Sequence, residues 1–178
     1  MLKGKKINLR QVEEEDIDLF LKWFNDPEVT QYLATVLPVT RKEEEKWFEG
    51  LSNFDESKKV VFSIELIEEK RLIGSCALNS IDLRNQTAEA GIMIGDKECW
   101  SKGYGTEVFK LLLDYGFNQL NLNRVGSAAL SFNEKSIGLH EKLGFKKEGV
   151  KRKVWFRNGK FNDEIVFGLL REEYNKSC

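Results

Sequence analysis

Ile7 and Leu9 alternate with polar neighbours, with Val12 close behind, and predict a first short strand. From Ile17 the spacing changes. Ile17, Leu19, Phe20, Leu21, Trp23 and Phe24 recur at helical intervals until Asn25-Asp26-Pro27 stops them. Thr40 stands where it can cap a second helix that carries Trp47, Phe48 and Leu51. Beyond it the period falls to two, and residues 60–66, 71–81 and 88–96 read as three strands, the first two joined by the turn-like Glu68-Glu69-Lys70. A helix from about 105 to 120 turns Val108, Phe109, Leu112, Leu113 and Phe117 toward a core. A strand over 123–131 and a helix over 133–144 follow. Two last strands meet across Arg157-Asn158-Gly159-Lys160, where Asn-Gly is a strong short-range hairpin signal.

The predicted order is βααβββαβαββ, an α/β protein with a mixed sheet and flanking helices. Its central three-strand meander excludes a pure βαβ repeat. No Pro/Ser-rich linker or internal period interrupts the 178 residues, so the reading is a single domain over 1–178. A chain of this length, 41% hydrophobic, can bury a core without disulfides or metal. The three cysteines show no CxxC spacing and there is one His, so no metal site is expected. With 28 Lys+Arg against 29 Asp+Glu, the net charge of -1 argues against nucleic acid as a whole-surface partner. No apolar stretch has the length of a membrane span or of a leader's core, which reads as cytoplasmic with no membrane partner.

The most informative stretch is Ile92 to Glu107, a strand that runs through Trp100-Ser101-Lys102-Gly103-Tyr104-Gly105-Thr106 into a helix. Two glycines let the backbone turn tightly and approach a ligand, and free N–H groups at a helix start suit a pyrophosphate. A dinucleotide fingerprint fails because Val108 stands where its third Gly belongs. A Walker loop fails because Thr106-Glu107, not Lys-Ser/Thr, follows Gly105. Many strand-to-helix turns contain Gly for steric reasons, so this turn alone decides nothing.

Together with Asn133-Glu134-Lys135-Ser136 and Glu141-Lys142-Leu143-Gly144-Phe145, however, the turn resembles the GNAT family of acyl-CoA N-acyltransferases. The chain is most similar to the branch with spermidine/spermine and ribosomal-protein N-terminal acetyltransferases. The resemblance implies acetyl-CoA as cosubstrate, with Ser101, Lys102, Gly103, Tyr104, Gly105 and Thr106 at its pyrophosphate and Ile92, Met93 and Ile94 pairing its pantetheine. It also implies contacts from Asn133, Lys135 and Ser136, although Asn133 reads equally as an ordinary N-cap. The sequence departs from the family pattern twice: Trp100 replaces Arg or Gln three residues before the first glycine, and His140 replaces a Tyr that meets the sulfur.

If the resemblance holds, an amine attacks the thioester directly. Glu89 matches a family carboxylate and is the candidate base, and His140 is the candidate acid for the departing thiolate. The oxyanion would take a backbone N–H near Met93 or Ile94. Acidic runs at 13–18 and 43–45 fall in or beside the helices that wall the acceptor cleft in this family, which favours a polyamine or other small cationic amine. Such runs are also ordinary solvated faces. A protein N-terminus remains open as acceptor, as does a non-catalytic acyl-CoA sensor, and the family makes a homodimer or larger homo-oligomer compatible. Residues 142–160 carry eight Lys/Arg against Glu148 alone, which could face phosphates, a protein or RNA, or protect a sheet edge.

Overall fold

The computed structural model describes residues 1–33, 38–52 and 59–177. Eight strands form one sheet in the order β1-β2-β3-β4-β5-β6-β8-β7: β1 (Leu2–Lys3), β2 (Ile7–Arg10), β3 (Lys59–Leu66), β4 (Arg71–Asp82), β5 (Thr87–Ile94), β6 (Arg124–Leu130), β7 (Lys146–Arg157) and β8 (Lys160–Leu170). Helices α1 (Ile17–Phe24), α2 (Pro27–Thr30) and α3 (Arg41–Ser52) precede the meander. Helix α4 (Tyr104–Asp114) crosses from β5 to β6, α5 (Glu134–Lys142) leads from β6 to β7, and α6 (Arg171–Ser177) closes the chain. All pairings are antiparallel except β5 with β6, as the crossover through α4 requires.

The expected elements appear with local changes. Pro27 ends α1 but also starts α2, because a proline costs nothing at a first helical position, and Asp26 caps it by accepting from the Glu28 N–H. Thr40 and Glu43 form a reciprocal capping box before α3. The helix predicted to Leu120 ends as α-helix at Asp114 and runs on as one π turn, Tyr115–Gln119. Asn158 and Gly159 both have positive φ, as the tight hairpin demands. The pair β1 and the helix α6 carry too few apolar positions to show in the sequence pattern.

Two apolar clusters hold the sheet. The larger packs Val108, Phe109, Leu112 and Leu113 of α4, with Phe117, onto Leu78, Ala88, Val125 and Leu169. The smaller, on the other face, packs Phe20 and Trp23 of α1 and Val29 of α2 onto Leu72 and Met93. A buried ion pair fixes α1 there. Arg10 donates two bonds of 2.7 Å to the Asp16 carboxylate and one of 3.0 Å to Glu65, while Ser63 Oγ–H donates to Asp16 at 2.6 Å.

Candidate active site

The parallel pair β5/β6 is bonded only from Thr87↔Arg124 to Glu89↔Gly126, and then the strands part. Beyond Glu89, β6 keeps its other neighbour β8 as far as Leu130, and β5 keeps β4 to Ile94. The edge of β5 from Ala90 to Ile94 that faces β6 has no strand partner. Strand alternation assigns that edge to Ala90, Ile92 and Ile94, since the Ala90 carbonyl already points across the split, 3.0 Å from Ser127 Oγ. Met93 turns its backbone to β4, opposite Ser75, and its side chain to the α1 cluster. An oxyanion N–H is therefore available from Ile92 or Ile94, not from Met93.

A cleft of about 480 Å³ runs along this edge and across the start of α4. It is lined by Ile92, Met93 and Ile94, by Ser101, Gly103, Tyr104, Gly105 and Thr106, and by Asn133, Lys135 and Ser136, so all but one of the predicted cosubstrate residues meet in one place. The exception is Lys102, which is exposed and outside the lining; Lys142 lines it instead. Ser101 and Gly103 both sit in left-handed conformations, φ +62° and +86°, and α4 begins without a side-chain cap. Among the described residues no protein group accepts from the Tyr104 and Gly105 N–H groups, and the space in front of Gly103 Cα is open. Such a curl of free amides at a helix N-terminus is built for an anion. Trp100, which stands where the family pattern has Arg or Gln, donates its indole N–H to the Ile94 carbonyl at 2.7 Å and meets Tyr32 edge-on with its ring, forming a rim.

A second cavity of about 250 Å³ shares Tyr32, Leu33, Ile92, Asn133 and Ser136 with the first, so the two are contiguous. Its floor is His140, 1% exposed. Nδ1 lies 2.7 Å from the Ser136 carbonyl, which only accepts, so Nδ1 carries the hydrogen; Nε2 faces Ser127 Oγ at 2.7 Å. The ring stacks on Phe167 and meets Phe109 and Phe145 edge-on. Burial pushes its pKa below the ordinary value, against a smaller raising effect of the Ser136 bond, so the resting imidazole is neutral. Glu89 stands on the opposite sheet face, its carboxylate laid over Gly126, where any Cβ would collide with it. Desolvation there raises its pKa, opposed by Arg124 and Lys151. Asn133 is indeed an N-cap, accepting from the Ser136 N–H at 3.1 Å, and lines both cavities as well.

Residues 6–146 match the model of the acetyltransferase (GNAT) domain. The chain belongs to the GNAT acetyltransferases. It is 36% identical over 172 residues to an uncharacterized N-acetyltransferase, p20, of Bacillus licheniformis, covering 96% of each chain. It is 30% identical over 180 residues to the spermidine N(1)-acetyltransferase of Escherichia coli K12, covering 98% of this chain and 91% of that one. The crystal structure of spermidine N-acetyltransferase from Vibrio cholerae in complex with CoA and spermine superposes with a TM-score of 0.89 at 26% identity, over 97% of this chain and 99% of that one.

GNAT acetyltransferases use acetyl-CoA, and the amide curl at Ser101–Thr106 with the unpaired β5 edge fits its pyrophosphate and pantetheine. Gly103→Ala is expected to raise KM for acetyl-CoA about tenfold with kcat nearly unchanged, because it strains the left-handed turn and puts a methyl into the open space in front of the free amides. Steady-state kinetics with acetyl-CoA varied checks this.

The acidic runs play another part than expected. Neither 13–18 nor 43–45 lines either cavity. Asp16 is bound to Arg10, Asp18 to Arg41, and Glu44 is buried on α3. Residues absent from the predicted set line the second cavity instead, Ser127, Trp155 and Glu164 among them. A serine, a tryptophan and a carboxylate on strands read as ordinary alternation, so nothing in the sequence marked them.

Proposed function

We propose that this GNAT protein moves the acetyl group of acetyl-CoA to a primary amine of a small cationic acceptor, a polyamine in the first instance, by direct attack in a ternary complex. The observation that carries the reading is the parting of β5 and β6 after Glu89, which joins the phosphate turn to a chamber holding His140, Ser127 and Glu164. The likeness to spermidine acetyltransferases supports the acceptor class. Acetyl-CoA is an intracellular cosubstrate and Cys76 and Cys99 are free buried thiols, which suits a cytoplasmic location.

Two protons leave the amine by separate routes, the first to Glu89, which lies outside the lining of both cavities, and the second within the chamber. Glu89, through water, takes the first from the arriving ammonium; it is the net proton of the reaction. Attack then gives a tetrahedral intermediate with a positive nitrogen, its oxyanion held by the Ile92 or Ile94 N–H. The second proton passes from that nitrogen to Ser127 Oγ as the serine's own proton moves to His140 Nε2. When the carbon–sulfur bond breaks, the sequence reverses and Ser127 protonates the sulfur, giving CoA and the acetamide. A neutral His140 suits this shuttle, since it must first receive the proton it later returns.

Turnover of spermidine across pH by the wild type and Glu89→Gln tests the first step. Protonated Glu89 cannot accept, and its raised pKa puts the acid limb of kcat/KM above the ordinary carboxylate range near about 4.3. The variant is expected to lose that limb and about tenfold in rate, water taking the proton less efficiently.

A further inference from the structure

Strands β7 and β8 pair Lys151 with Glu164 and then Trp155 with Asn162, so β7 takes four steps where β8 takes two. The excess is held in a bulge in which Lys153 adopts a left-handed φ of +54° and its N–H donates to Asp163 at 2.8 Å. Bulges of this kind re-aim a side chain. Here the one re-aimed is Trp155, whose indole N–H donates to Glu164 Oε2 at 2.7 Å. The other oxygen, Oε1, accepts from Lys151 Nζ at 2.7 Å.

Glu164 is 13% exposed and is the one carboxylate in the lining of the second cavity among the described residues, with Tyr32, Leu130 and Trp155 as its frame. Lys151 is 61% exposed and reaches the carboxylate from the solvent side. A primary ammonium on a flexible alkyl stem is what a di- or polyamine would also present.

We propose that Glu164, framed by Trp155, docks the distal ammonium of a di- or polyamine acceptor, and that Lys151 is the internal occupant the acceptor displaces. The inference rests on the proposed acetyl transfer to cationic amines and names the group that would select them. Displacement is cheap on the lysine's side, since the exposed Lys151 ammonium regains water as it leaves. Although burial works to raise its pKa, the bonds from Lys151 and Trp155 prevail and hold the Glu164 carboxyl below its ordinary value, so it remains an anion. Glu89 lies within electrostatic range of both Lys151 and Glu164, which extends the negative field toward the thioester side.

The test compares spermidine with butylamine, which has no distal ammonium, in steady-state acetylation by the wild type, Glu164→Gln and Lys151→Met. Titration calorimetry of spermidine into CoA-saturated protein runs beside it. Glu164→Gln, which keeps an acceptor for Trp155, is expected to raise KM and Kd for spermidine about tenfold while butylamine changes by less than about twofold. Lys151→Met is expected to lower both spermidine values. Unchanged spermidine values in Glu164→Gln, or equal losses for both amines, overturn the proposal. Binding of spermidine that depends on Glu164 without CoA release would sustain this site and sink the transfer reaction. Turnover of spermidine indifferent to Glu164 would do the reverse, and a wild type that neither binds nor acetylates spermidine contradicts both.

Discussion

Replacing His140 by alanine is expected to lower kcat about 100-fold while KM for acetyl-CoA stays nearly constant. The imidazole bridges the Ser136 carbonyl and Ser127 Oγ beneath the point where β5 and β6 separate, so its loss interrupts the path from nitrogen to sulfur. Alanine also removes a buried, stacked ring. His140→Gln therefore serves as the partner variant, since an amide retains hydrogen bonding but cannot accept a proton. Ser127→Ala should cost a similar factor, and the Ser127/His140 double variant should be no slower than either single one, because both act in one relay. Full additivity would separate the two residues. The pH dependence gives an independent check. A group that acts as an acid only in its resting protonated form loses activity as pH rises through its pKa, and burial has moved that pKa down. In the shuttle the acid form is generated within each turnover, so kcat should show no decline between about pH 6.5 and 8 attributable to His140. Wild-type turnover in His140→Gln would remove the residue from the mechanism.

The largest effect on stability is expected at Asp16. Asp16→Ala should destabilise the fold by about 3 kcal/mol, because it takes the two-bond carboxylate partner from the Arg10 guanidinium, leaving it Glu65, the Gln11 carbonyl and a 3.9 Å contact with Glu13, and leaves Ser63 Oγ without its acceptor in the core. For a chain of this size that is roughly 6–12 °C in Tm, measurable by calorimetry. The same network sets an acid limit. Burial works against ionisation of Asp16, but the bonds from Arg10, the Glu13 N–H and Ser63 outweigh it and lower its folded pKa. A lowered folded pKa contributes stability that is complete above the unfolded value near about 3.9 and is lost as pH falls toward the folded one. Wild type should therefore lose Tm below about pH 4 more steeply than Asp16→Ala does.

The periodic elements were legible because each buries one face. The strands at 60–66 and 71–81 and the helix carrying Val108, Phe109, Leu112 and Leu113 lie where their apolar spacing puts them. The glycine turn was legible as a turn, from two glycines between a strand and a helix, but the anion assigned to it came from the resemblance, since such turns also arise for steric reasons alone. The chemistry of the acceptor side was not. Residues 13–18 look like a negative entrance in one dimension, yet Arg10 and Arg41 neutralise Asp16 and Asp18 in three. Trp155 meets Glu164 across a bulge in β7, and Ser127 borders the split because β6 leaves β5 one residue earlier. Register and bulge position are long-range properties that one-dimensional periodicity does not encode. His140 was found by its place in a motif, but the motif does not say that both its nitrogens are bonded.

The central claim is acetyl transfer to a cationic amine, and the most direct test is CoA release from acetyl-CoA followed with a thiol-reactive dye, with spermidine as acceptor. The account predicts saturable release that requires spermidine and yields one acetylated amine per thiol. Acetyl-CoA bound tightly but no thiol released above the hydrolytic background, with spermidine or any other amine supplied, would contradict it and leave an acyl-CoA sensor in its place.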